Sequence, residues 1–204
     1  MDRTQLSNGQ LLTPRLVLRP WVDSDARRAL GIYGDPAVAK WLSPVLPPVV
    51  DEPTMRLLLR RWQVPAEADV DPVGHWALER RGDQMLVGGL AIRRLESGDD
   101  DDLEIAWQLA RSAWGNGYAV EAGTALAVWA LEHSGVEELF ALVRPHNGRG
   151  RATARRIGME WVGETEKYHG LRLQVYRARL ADLVRPAVVE GEATGPLAEL
   201  ERAS

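Results

Sequence analysis

Three consecutive stretches, "HWALERRG" (75–82), "MLVGGLAIRRL" (85–95) and "LEIAWQLA" (103–110), carry a strand's period of two and are separated only by short polar segments. The pattern then changes. In "AWGNGYAVEAGTALAVWALEH" (113–133) a glycine-flanked asparagine leads into a helical stretch with almost no charge. A meander of three strands must pair as an antiparallel sheet. A helix that is apolar nearly all round must be buried, and the sheet is the surface at hand.

The remaining segments extend this plan. "RLVLRPW" (15–21) suits a first strand, and "DSDARRALGIYGD" (23–35) a helix with Asp23 or Ser24 as N-cap and Gly34-Asp35-Pro36 as its stop. Residues 36–73 predict two helices or a broken pair, with "PTMRLLLRRWQV" (53–64) at helical spacing. Hairpin turns fall at Arg81-Gly82-Asp83 and at "ESGDDDD" (96–102). A strand "LFALVR" (139–144) precedes an arginine-rich helix from Asn147 to Ile157, with Gly158 as its C′ residue, and strands "MEWVGE" (159–164) and "LQVYRARL" (173–180) follow. The order β–αα–βββ–α–β–α–ββ predicts an α+β (mixed α/β) domain around one sheet. Residues 1–182 form that domain, and 183–204, rich in small and charged residues, form a loosely ordered extension.

Composition removes several classes of function. The absence of cysteine excludes thiolate nucleophiles, disulfides and cysteine-based zinc sites. The four histidines, at 75, 133, 146 and 169, show no HxH or HxxxH spacing, so no metal site is expected. A net charge of −4 gives no basis for direct nucleic-acid binding. No signal peptide or run long enough to span a bilayer is present, which predicts a cytoplasmic protein without membrane contact.

Gly115-Asn116-Gly117 can be read in two ways. Glycines before a helix N-terminus let backbone N–H groups close on an anion such as a phosphate, and they also serve as a plain turn. A dinucleotide fingerprint needs a third glycine where this chain has Val120. Glu137 and Glu138 stand before the next strand, not at its carboxyl end. A P-loop fails as well, because no Gly-Lys-Ser/Thr follows.

Four segments together resemble the GNAT superfamily of acyl-CoA N-acyltransferases, of the RimJ/RimL-like type that acetylates ribosomal-protein N-termini. They are "TPRLVLRPWVDSDA", "GHWALERRGDQMLVGGLAI", "LEIAWQLARSAWGNGYAVEA" and "RPHNGRGRATARRIGMEWVGE", spanning roughly residues 13 to 180. The resemblance implies a mostly antiparallel sheet in which strands 103–110 and 139–144 splay apart to hold acetyl-CoA. Main-chain groups of Gln108, Leu109 and Ala110 would pair with the pantetheine amides, and those of Trp114, Gly115, Asn116, Gly117, Tyr118 and Ala119 would hold the pyrophosphate. Asn147 matches the position that touches the pantetheine arm, and it also suits an N-cap. Relatives often carry a serine where this chain has Gly150, and the short helix lacks the tyrosine many members use as general acid. Among Arg149, Arg151, Arg155 and Arg156, Arg151 is the candidate for the 3′-phosphate, against a solvated basic face.

For the chemistry, the resemblance implies direct attack by a primary amine, with the Leu109 N–H polarising the thioester carbonyl. Glu104 is the first candidate base, against a strand glutamate in a salt bridge; His146 and then His75 follow. Tyr168 and His169 could line the acceptor mouth, with Trp41, Leu46 and Trp62 as one wall. The run Asp99 to Asp102 either attracts a basic acceptor or is a solvated hairpin tip. The acceptor is expected to be a protein or peptide N-terminus, with a small-molecule amine or a non-catalytic acyl-CoA-binding module as alternatives. The resemblance also allows a homodimer, which no residue here specifies.

Overall fold

The computed structural model describes residues 9–42, 46, 49–63, 73–95, 102–168 and 170–184. The strands are β1 (Leu11–Leu12), β2 (Leu16–Pro20), β3 (Gly74–Arg80), β4 (Met85–Arg94), β5 (Leu103–Leu109), β6 (Leu139–Val143), β7 (Glu160–Thr165) and β8 (Leu173–Ala178). The helices are α1 (Ala26–Tyr33), α2 (Pro36–Ala39), α3 (Glu52–Gln63), α4 (Tyr118–His133) and α5 (Gly148–Ile157). All the described strands join one sheet in the order β1-β2-β3-β4-β5-β6-β8-β7. Every neighbouring pair is antiparallel except β5 and β6, which run parallel on either side of the α4 crossover.

One face of the sheet packs on α4 and α5. Leu16, Leu18, Leu78, Leu90, Ile92, Ile105 and Leu139 are buried there against Ala122, Leu126, Trp129 and Ala154. The opposite face packs on α1 and α3 through Trp21, Ala29, Tyr33, Met55 and Leu59. With both faces covered, the centre of the sheet carries a long apolar run: seven consecutive residues of β4, Leu86 to Ile92, are buried. Leu183 is still buried in the core around α4. Residues 185–204, most of the expected extension, lie outside the described part.

The structure corrects two local expectations. β1, which pairs Leu11 with Leu18 and Leu12 with Val17, is too short to show a period in sequence. Neither Asp23 nor Ser24 caps α1: the chain makes a 3₁₀ turn over Asp23–Asp25 and the helix starts at Ala26. The decisive acid is Asp25, fully buried, gripped by Arg19 at 2.8 and 3.0 Å and by Arg28 at 2.6 Å. Burial raises the pKa of this carboxyl, and the two guanidiniums with the Val22 N–H outweigh that and hold it below the ordinary aspartate value.

Candidate active site

β5 pairs with β4 along its whole length, from Arg94↔Leu103 to Gly88↔Leu109. With β6 it pairs only at Leu103↔Leu139 and Glu104↔Phe140, after which the two strands diverge. The wedge between them is a cavity of about 320 Å³, bounded by β5, β6, the first turn of α4, one face of α5, and Val38, Trp41 and Leu42. Peptide direction alternates along a strand, and the Ala110 N–H donates to Val87 O at 2.9 Å. The peptide groups of Leu109 and Trp107 therefore look into the wedge. This narrows the expected set: the Ala110 N–H is committed to β4, as are the peptide groups of Gln108, whose side chain accepts from the Tyr33 hydroxyl at 3.3 Å. The Leu109 carbonyl is itself taken by Trp114 Nε1 at 2.9 Å, which leaves its N–H as the free donor.

The loop after β5 is built to present N–H groups. Gly115 and Gly117 sit at φ 80 and 78, where a side chain would be strained. The α4 hydrogen-bond ladder begins with Val120 and Glu121 donating to Gly117 O at 3.1 and 3.0 Å. The N–H groups of Tyr118 and Ala119 thus have no acceptor within the helix, and both residues line the cavity. Asn116 does not line it; its side-chain amide braces the loop on Ala113 O and Trp114 O, each at 3.2 Å.

A network not foreseen in the sequence anchors this turn. Glu121 accepts from the Thr13 hydroxyl at 2.6 Å, the Arg15 N–H at 2.9 Å and Arg15 Nε at 2.6 Å. Burial raises the Glu121 pKa, but these donors outweigh it and leave the carboxyl below its ordinary range. Arg15 also donates to Asn116 O at 3.0 Å and lies 4.8 Å from the Tyr118 ring centre. An acid in the first helical turn was legible as a dipole partner. Its cation, more than a hundred residues earlier, was not.

On the facing wall, Asn147 Oδ1 caps α5 by accepting from the Gly150 N–H at 2.9 Å. Gly150 explains itself sterically: a Cβ there would lie 2.7 Å from Asn147 Nδ2 and 3.0 Å from Val143 Cγ1. The arginines divide by helical phase. Arg149, Ala152, Thr153 and Arg156 face the cavity, and Arg149 stacks 4.5 Å above the Trp114 ring. Arg151, the expected phosphate ligand, is one step out of phase and does not line the cavity; its Nε is buried without a partner. His146 is exposed and does not line the cavity.

The face of the sheet toward α1 and α3 carries the remaining chemistry. Glu104 lines the cavity and pairs with Arg93 at 2.9 Å, with side chains 12 and 19% exposed. Arg144 also lines it and donates to Leu42 O at 3.3 Å. His75 is not in the cavity lining; it stacks on Trp62 at 4.8 Å, within an aromatic cluster completed by Trp21 and Tyr33. Burial, and then the Arg93 charge, push the His75 pKa down to about 3, so its imidazole is neutral near pH 7. Trp41 lines the cavity, whereas Trp62 and Leu46 pack in the α1–α3 layer. Tyr168 stands in the turn before β8 without lining the cavity. His169 and Asp99 to Asp101 lie outside the described residues. Among the described residues no group of histidines and carboxylates could hold a metal ion, and no helix is long and apolar enough to cross a membrane.

An unpaired strand edge leading to a ring of free N–H groups, with a cation opposite, fits an extended ligand that carries amides along its length and phosphates at one end. Comparison with known proteins gives that ligand a name. Bacillus subtilis YkkB, an uncharacterized protein, is 27% identical over 161 residues, covering 78% of this chain and 90% of its own. Mycobacterium smegmatis RimJ, solved in complex with CoA-disulfide, superposes with a TM-score of 0.69 at 20% identity, over 84% of this chain and 85% of that one. RimL, a ribosomal L7/L12 α-N-protein acetyltransferase solved with coenzyme A, gives 0.67 at 16% identity, over 82% of this chain and 96% of its own. At such identities these two structures establish the fold. The family model for the GNAT acetyltransferase domain matches residues 15–160, and the chain accordingly belongs to the GNAT acetyltransferases, which take their acetyl group from acetyl-CoA.

Proposed function

We propose that this enzyme acetylates the α-amine of a protein or peptide N-terminus by direct attack on acetyl-CoA. The observation that carries the reading is the wedge: β5 leaves β6 after Glu104, and the peptide groups it frees lead to the Gly115–Gly117 turn. The similarity in fold to RimL, whose substrate is a ribosomal protein N-terminus, supports the choice of acceptor.

Bound acetyl-CoA supplies an activated acetyl thioester. The chain does the rest. The Tyr118 and Ala119 N–H groups and Arg149 hold the phosphates at the mouth of the wedge. The Leu109 N–H is the donor for the pantetheine arm or the carbonyl oxygen. Glu104, on the opposite face of β5 from the α4 core, receives the proton that the acceptor ammonium must lose. Arg93 fixes the direction of that carboxylate. Thr153 places a hydroxyl on the α5 wall in place of the missing tyrosine.

The test is calorimetric titration of acetyl-CoA into the protein beside Gly117→Trp, followed by mass-spectrometric detection of acetylated peptides from an N-terminal panel. Micromolar binding that the variant loses, with α-amine acetylation, supports the reading. Acetyl-CoA binding without turnover of any amine would overturn it in favour of an acyl-CoA-binding module. Glu104→Gln is expected to lower kcat by about 10²- to 10⁴-fold with acetyl-CoA affinity retained. Unchanged kcat removes Glu104 as the base.

A further inference from the structure

The acceptor side of the cavity has an unusual charge arrangement. Arg93 and Glu104 stand side by side on adjacent strands, in register, both facing the cavity. Of its N–H donors, Arg93 uses Nη2 on Glu104, and its Nε is buried with no partner. A guanidinium carries five donors, so this one is far from satisfied. Arg144 projects to the same side, because Phe140, Leu142 and Arg144 alternate away from the Leu139, Ala141 and Val143 face that packs on α4 and α5. Its hydrogen bond goes to a neutral carbonyl, Leu42 O. Among the described cavity-lining residues on that side, two arginines thus face one glutamate.

Coenzyme phosphates do not account for the Arg93 charge. Glu104 lies at the closed end of the wedge, where β5 and β6 still pair. The six residue steps from Glu104 to Ala110 span about 20 Å, which puts Arg93 far from the phosphate turn. A lone ammonium entering there meets a carboxylate already neutralised by Arg93 and a second guanidinium beyond it. An acceptor bearing both charges meets a complementary pair: ammonium to Glu104, carboxylate to Arg93.

We infer that the acceptor carries a carboxylate next to the amine it presents, and that Arg93 receives it while Arg144 draws it in. The inference rests on the acetyl-transfer reading and specifies its substrate. The carboxylate can come from an acidic residue at the start of a peptide or from the α-carboxylate of a free amino acid.

The experiment compares matched acceptors in steady-state assays: peptides beginning Asp or Glu against Asn or Gln, and free amino acids against their amides. The expected kcat/KM preference for the carboxylate member is about tenfold or more, because a buried donor left unpaired by the neutral analogue penalises it. Arg93→Gln is expected to bring that ratio to near one, Arg93→Lys to restore part of it, and Arg144→Gln to shrink it, with acetyl-CoA affinity reporting that each variant is folded. If Arg93→Gln fails to bind acetyl-CoA, the wild-type ratio and Arg144→Gln decide. Preference among peptides supports both readings, whereas preference among amino acids alone supports the carboxylate and overturns the peptide. Equal turnover of acidic and neutral partners, or a preference that survives Arg93→Gln, overturns the inference and leaves acetyl transfer standing. Acetyl-CoA binding with no acceptor turned over removes both.

Discussion

Replacing Gly150 by alanine tests whether that glycine is a steric requirement of the Asn147 cap. An added Cβ would lie 2.7 Å from Asn147 Nδ2, 2.9 Å from its Cγ and 3.0 Å from Val143 Cγ1. Relief comes most cheaply by expelling Asn147, which forfeits its bond to the Gly150 N–H and about 1 kcal/mol of capping. Strain against Val143, itself buried, adds about 1–3 kcal/mol. Better helix propensity returns about 1 kcal/mol. The net loss is about 1–3 kcal/mol, or roughly 3–10 °C in Tm for a chain of this size. Asn147→Ala alone costs about 1 kcal/mol, and in that background Gly150→Ala costs about 1 kcal/mol less than in wild type, about 0–2 kcal/mol, because the Asn147 contact is gone and only the strain against Val143 remains. Thermal unfolding of the four proteins closes the cycle. An equal loss in both backgrounds, or a stabilised single variant, would refute the account.

Further outcomes follow from the same geometry. Arg149→Ala is expected to raise the acetyl-CoA Kd about 5- to 30-fold by calorimetry, whereas Arg151→Ala, off the cavity, leaves it unchanged; the reverse order would return the phosphate to Arg151. Asp25 has a lowered folded pKa, so its contribution is complete above the ordinary aspartate value of 3.8 and fades as pH falls below it. Asp25→Asn therefore costs about 3–5 kcal/mol at pH 7 in chemical denaturation, because it strands Arg19. That gap to wild type should narrow below pH 4, and a constant gap would contradict the linkage. His75, down to about 3 in the fold, binds no proton at the pH where the unfolded chain begins to, near 6.5. It therefore removes stability as pH falls from 6.5 toward 3, and His75→Gln should flatten that slope while leaving the pH profile of turnover unchanged; loss of a limb of that profile would make it a base.

The sheet, the buried helix and the glycine turn were legible because each is written in neighbouring residues. Period two over 75–110, the apolar stretch 118–133 and the Gly-x-Gly before it need only local chemistry to be read. Resemblance supplied the wedge, and the break in β5–β6 register after Glu104 agrees with it. Asn147 was readable as a cap for the same local reason. The tertiary structure alone decided which functional groups meet. Arg149 faces the cavity and Arg151 does not, because a two-residue step turns a helix by roughly 200° and only packing sets the zero of that rotation. Thr13, Arg15 and Glu121 converge through contacts between β2 and α4, so no local pattern announces them. His75 and His146 are equal as letters; burial beside Arg93 neutralises one, and the other is exposed to solvent. Chain-local periodicity determines elements, while the charge, protonation and partners of a side chain depend on neighbours that only the folded chain brings within reach.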